Sequence, residues 1–89
     1  MLDRHLELDD QVALRPEPFG ALAYHYGNRK LIFLKHADVV AVVEALADHS
    51  TLADTLRACG VAEHRWPAFE SALIALERSE MLHERIAVG

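Results

Sequence analysis

Six histidines and a single cysteine are the residues of this chain that could support a metal centre or covalent catalysis. A closed metal site needs ligands on adjacent helical turns or at tightly spaced loop positions. His5, His25, His36, His49, His64 and His83 are scattered, with no two at the spacing that shares a helical face. Neither a CxxC nor an HExxH motif occurs, so no metal is expected. Cys59 directly precedes Gly60, a helix-stop residue, and a helix C-terminus disfavours the thiolate that a nucleophile needs. The four glycines form neither a phosphate loop nor a dinucleotide fingerprint, and there is no nucleophile elbow. A chain of 89 residues also has little volume in which to enclose a small molecule. These residues point away from an enzyme, with no catalytic residue and no cofactor.

The chemistry that remains is recognition through backbone, apolar surface and charge. The formal net charge is −5, yet residues 21–40 carry +2, from Arg29, Lys30 and Lys35 against Asp38. A duplex-binding domain would show a broad basic face, so one short basic stretch in an acidic background suits an acidic peptide better than nucleic acid. Between those cations lies Leu31-Ile32-Phe33-Leu34, apolar at every position. A strand of that kind at a sheet edge is an aggregation hazard unless something covers it. The flanking cations limit self-pairing and attract an acidic chain. The lone cysteine fits a reducing compartment, and apolar stretches of four or five residues are too short to span a membrane. The start is polar and mixed in charge, unlike a secretion signal, so a cytoplasmic protein is expected.

The elements that must position this strand follow from periodicity. Residues 1–11 combine Asp3, Glu7, Asp9 and Asp10 with Leu2, Leu6 and Leu8, and read as a mobile or partner-dependent acidic arm, the alternation of the leucines leaving a short strand or a fold-on-binding segment as the alternative. Residues 12–89 form a single domain. Val12–Arg15 is a strand, stopped by Pro16-Glu17-Pro18. Ala21–Tyr26 and Arg29–Leu34 flank Gly27-Asn28 and read as a hairpin with a two-residue primed turn. That register pairs Tyr26 with Arg29, Tyr24 with Leu31 and Leu22 with Phe33. One face is then Leu22, Tyr24, Tyr26, Leu31 and Phe33, the other Ala21, Ala23, His25, Ile32 and Leu34.

Helices fill the remainder. Asp38–Ala47 carries a valine-rich apolar stripe. Ser50 or Thr51 caps a short second helix through Leu52 and Leu56, ended by Gly60. A third begins at Trp66-Pro67 and runs to about Ser79, followed by a tail over Met81–Val88 with a short final strand. Projected at about 100° per residue, Trp66, Phe69, Leu73 and Leu76 share one sector of the third helix, and Ala68, Ala72 and Ala75 widen it. The arc exceeds what one core needs, and its alanine half would let another chain approach closely. Strand and helix together suggest a groove that binds a peptide by strand addition. The fold class is α+β, a winged-helix-like arrangement of a three-stranded antiparallel sheet followed by three helices.

Residues 12–22, VALRPEPFGAL, with Tyr24-His25-Tyr26-Gly27 and Arg29–Lys35, resemble the PqqD-like precursor-recognition elements, the mycofactocin peptide chaperones among them. The resemblance covers residues 12–83, and the RPEPFGAL run is its most specific part. It implies a winged-helix variant without catalysis, which binds the leader of a ribosomally made precursor peptide. It also implies that the leader, here that of the mycofactocin precursor, is delivered to a radical SAM maturase. In such proteins the leader adds to the third strand and lies along the third helix. Carried over by position, the strand residues are Arg29, Lys30, Leu31, Ile32, Phe33, Leu34 and Lys35. Those on the helix are Phe69, Ala72, Leu73 and Leu76. Lys35-His36 stands where other members often have a small polar residue, a difference that bears on leader selectivity.

Two other readings compete. A winged-helix DNA-binding regulator needs a basic recognition helix, but residues 65–80 set Arg65 and Arg78 against three glutamates. A plain dimerisation domain would pair the apolar edge with itself, giving a homodimer.

Overall fold

Alternation along two apolar runs sets the main sheet of the structure, a computed structural model that describes residues 1–85. Strands β2 (Val12–Glu17), β3 (Gly20–His25) and β4 (Leu31–Leu34) are antiparallel, in the order β2-β3-β4. Leu22 lies opposite Phe33 and Tyr24 opposite Leu31, the register expected from the sequence. Ala21, Ala23, His25 and Leu34 are buried on the inner face, whereas Leu31 and Phe33 are 48% and 57% exposed on the outer one. Strand β2 runs through Pro16, which was expected to stop it. Tyr26 N–H donates to the Gln11 carbonyl, so by alternation Pro16 falls at a non-hydrogen-bonded pair. Its missing N–H therefore faces away from β3, on an edge strand where proline is tolerated.

The hairpin turn is wider than the two-residue form. His25 N–H donates to the Lys30 carbonyl at 3.0 Å, and Arg29 N–H to the His25 carbonyl at 2.8 Å. The His25 ring supplies the reason, because its Nδ1 accepts from Gly27 N–H at 3.0 Å and Asn28 N–H at 3.1 Å. Asn28 in turn accepts Lys30 N–H through its side-chain oxygen. These side-chain acceptors replace the backbone pair of a primed turn, and the left-handed conformation falls on Arg29, at φ 61°, not on Gly27. Tyr26 and Arg29 accordingly lie outside the β3–β4 ladder.

Three helices cover the inner face: α1 (Ala37–Ala45), α2 (Leu52–Ala58) and α3 (Trp66–Arg78). A 3-10 turn, Leu46–Asp48, follows α1 and another, Glu63–Arg65, leads into α3. Thr51 caps α2 by accepting the Asp54 N–H at 3.1 Å, and Gly60, at φ 73°, lies just beyond its end. Val42, Val43, Leu46, Leu52 and Leu56 meet Trp66, Phe69, Leu73 and Leu76 in one core that includes Ala23 and Leu34. The Trp66 indole N–H donates to the Val61 carbonyl, so the one polar atom of that buried ring is satisfied.

Residues 1–11, expected as a mobile arm, are instead part of this packing. Leu6–Leu8 forms β1, antiparallel to β5 (Leu82–Glu84) in a separate two-stranded sheet. Leu6 is only 1% exposed and belongs to the core. The carbonyls of Leu2 and Arg4 accept the N–H groups of Ala53 and Leu52, each at 2.9 Å. Two of the four carboxylates that made the segment look solvated, Glu7 and Asp9, meet His83, and Arg4 pairs with Glu77 and Glu84. Of the tail expected over Met81–Val88, β5 is confirmed and residues 86–88 lie outside the described residues.

His83 makes this strand pair sensitive to pH. Its Nε2 lies 2.7 Å from Glu7 Oε1 and its Nδ1 3.2 Å from Asp9 Oδ2. The bond to Glu7, then that to Asp9, raises its pKa above the ordinary 6.5. The protonated ring therefore stabilises the fold fully below about pH 6.5, and that contribution is lost as pH rises through the raised value. Asp9, held below its usual range chiefly by the Gln11 N–H, contributes with the opposite sign and only in the acid range. The melting temperature of His83→Gln should consequently fall less between pH 6 and pH 9 than that of the wild type, as thermal scans at both pH values would show.

Candidate functional site

Strand β4 ends the sheet, so among the described residues one of its sides has no partner strand. The bond from His25 N–H to the Lys30 carbonyl fixes the parity of the β3–β4 ladder. By alternation Ile32 and Leu34 bond inward to β3, while the backbone groups of Leu31 and Phe33 point outward from the edge. They form a short row of donors and acceptors ready for another strand. Arg29, Lys30 and Lys35 flank this edge, all exposed, and none of them makes an ion pair among the described residues.

Two clefts adjoin the end of β4. The outer one, about 290 Å³, is formed by Phe19, Phe33 and Lys35. The two aromatic rings meet edge to face with centroids 5.7 Å apart, a contact that holds Phe19 over the sheet. The inner cleft, about 500 Å³, opens between the start of α1 and the first half of α3. Val39, Ala68, Phe69 and Ala72 give it apolar walls, while His36, His64, Asp38 and Arg65 are its polar members. Arg65 forms an ion pair with Asp38 across the two helix starts, and its guanidinium sits 5.2 Å from the Phe69 ring centre. The hydrogen bond from Arg65 holds the Asp38 carboxyl below its usual pKa, so the cleft carries a fixed charge pair.

The candidate residues separate into three sets. Phe33 and Lys35 belong to the outer cleft, Phe69 and Ala72 to the inner one, and Arg29 and Lys30 to the turn at the other end of β4. Leu34, Leu73 and Leu76 are core residues that line neither cleft and hold the strand and helix in place, whereas Phe69, part of the same core, reaches the inner cleft with its edge. Ile32 is half-buried and packs against that core. The single groove expected between strand and helix is thus two clefts, because successive residues of β4 point to opposite faces of the sheet. Sequence reasoning passed over Phe19, Val39 and Arg65. Phe19 had a signal, an aromatic beside a glycine at a strand–strand turn, whereas the contact of Arg65 with Asp38 spans 27 residues and leaves no local trace.

A third cleft, about 470 Å³, is lined by Asp9, Glu77, Glu80 and Glu84 with His25 and His83. Its charge would repel an acidic chain. Burial pushes the Cys59 thiol pKa up, which opposes thiolate formation. Among the described residues no cluster of three or more His, Cys, Asp or Glu side chains could hold a metal ion, and no helix is long and apolar enough to cross a membrane.

Comparison with known proteins adds a family. The peptide chaperone MftB family matches residues 5–83. The chain is 53% identical over 75 residues to the peptide chaperone MftB of Mycolicibacterium smegmatis, spanning 84% of this chain and 74% of that protein. To the namesake of Mycobacterium ulcerans it is 50% identical over 80 residues, 90% of this chain and 73% of the other. The Mycobacterium tuberculosis relative is 47% identical over 83 residues, covering 93% and 76% respectively. No solved structure matches the chain. The family match begins at His5, so it takes in β1, in keeping with the place of that strand in the fold.

Proposed function

Because this chain belongs to the peptide chaperone MftB family, we propose that it binds the leader of the mycofactocin precursor peptide and delivers that peptide to a radical SAM maturase in the cytoplasm. It is a chaperone and not an enzyme, in keeping with the name peptide chaperone that the family and its relatives carry. The observation that carries the finer reading is the open edge of β4. Outward backbone groups of Leu31 and Phe33 lie between Arg29, Lys30 and Lys35, cations with no ion-pair partner among the described residues. An acidic extended peptide satisfies both features together, since main-chain bonds hold it whatever its sequence and the flanking charges select its sign. The same geometry supports the delivery reading. Strand addition immobilises the leader alone and leaves the far end of the precursor free for a second protein.

Calorimetric titration of the chain with the leader peptide tests this. Saturable one-to-one binding is expected, and leader truncation should abolish it. Phe33→Asp should weaken the affinity by about ten- to a hundredfold, through lost apolar contact and added like charge. The side chain is 57% exposed, so the melting temperature should hardly move. Unchanged affinity in the folded variant would remove β4 from the binding site. A mass that rises with concentration would show instead that the edge pairs with a second copy.

A further inference from the structure

The two clefts beside β4 lie on opposite faces of the sheet, yet consecutive residues, Lys35 and His36, open onto one each. We propose, building on strand addition at this edge, that the bound peptide is read on both faces at once, with an apolar side chain in the outer notch of Phe19 and Phe33. Side chains of cross-strand neighbours share a face. A peptide residue paired with Phe33 or Lys35 therefore points outward, toward Phe19. Its sequence neighbours point inward, toward the wall formed by Phe69 and Ala72. The two anchors must then be separated by an odd number of positions, adjacent or three apart, because an even spacing puts both on the same face.

Charge fixes the occupant as an acidic, partly apolar extended chain. The outer notch has no polar lining surface, and the one charge at its rim is the ammonium of Lys35, which has no ion-pair partner among the described residues. A carboxylate two residues from the outer anchor, on the same face, would reach it. Phe19 thereby becomes a specificity residue, although it lies on the turn between β2 and β3 and outside the strand that supplies the main-chain bonds.

The test is a leader-peptide scan, each position changed in turn to aspartate, titrated against wild type and Phe19→Ser. Phe19 is 43% exposed, so the variant should fold, which a thermal scan verifies. Phe19→Ser should bind the unmodified leader about tenfold more weakly, the loss typical of an aromatic contact at an interface. It should also become insensitive to aspartate at one apolar leader position, while remaining sensitive at a second position an odd number of residues away. Wild-type affinity and an unchanged scan in Phe19→Ser would overturn the two-faced reading and leave strand addition intact. Failure of the wild-type chain to bind the leader would overturn both.

Discussion

Replacing Leu6 by alanine is expected to lower the free energy of unfolding by about 2–4 kcal/mol, the range for emptying a well-packed leucine site. Chemical denaturation of the two proteins measures it. The expectation rests on burial, since Leu6 is 1% exposed within the core and sits in a strand whose partner, β5, follows the last helix. Residues 1–11 as a loose acidic arm would give a change within about 0.5 kcal/mol, as for ordinary surface positions. The experiment thus decides between a core strand and an appendage. It also bears on the site. Strand β1 contacts α1 and the turn that follows it, and the N-terminal segment bonds to the start of α2 through the Leu2 and Arg4 carbonyls. Loosening it should therefore unsettle the helical layer that forms the inner cleft.

What was legible in the sequence was local. The β3–β4 register over Ala21–Tyr24 and Leu31–Leu34 and the division of its faces followed from alternation, whereas the Tyr26–Arg29 pair expected beside Gly27-Asn28 does not form. The α2 cap, narrowed to Ser50 or Thr51 and found at Thr51, and the start of α3 at Trp66-Pro67 were readable for the same reason, since capping and proline placement act within one turn. The misreadings were of long range. Leu6 and Leu8 alternate as a strand should, but their partners Glu84 and Leu82 lie more than seventy residues away, and the surrounding carboxylates outweighed the pattern. Of those carboxylates, Glu7 and Asp9 meet His83, from the opposite end of the chain. Pro16 stood for a strand end because its solvent-facing parity depends on which strand is the edge, a property of the sheet and not of the segment.

The candidate site divides along the same line. That Leu31-Ile32-Phe33-Leu34 is apolar on both faces was evident, and so was its basic flank. Merging it with α3 into one groove overlooked a consequence of that two-faced character. A strand with Leu34 in the core must turn Phe33 away from the helices. The helical residues Leu73 and Leu76 were carried over to the ligand by position from the resemblance, in accord with the wide apolar arc of α3, but the core takes the centre of that arc and leaves Ala68, Ala72 and the edge of Phe69 to the cleft. Phe19 came to the outer cleft through a turn, and turns carry little periodic signal.

Gly20→Ala should be the most damaging single substitution near the site, costing about 2–4 kcal/mol of stability, the range of strained and overpacked positions. Gly20 begins β3 at φ 147°, a conformation that residues with a side chain rarely adopt. An added Cβ would also collide with the Leu34 carbonyl and lie within 3.3 Å of the His36 nitrogen. These are backbone atoms, so the end of β4 itself must move. A matched control is available in Gly60, also at positive φ, 73°, but with nothing within 4 Å of the added atom. Gly60→Ala should cost only the left-handed strain, about 1–2 kcal/mol. Denaturation of both variants separates close approach from strain, and equal losses would show that the contact with Leu34 does not matter. Peptide titration extends the comparison to function. The collision falls where Lys35 and His36 divide the outer from the inner cleft, so Gly20→Ala should weaken leader binding even under conditions where the variant is folded. Gly60→Ala, at the far end of α2, should bind as the wild type does. If the two variants bind alike while both are folded, the end of β4 is not where the peptide is read.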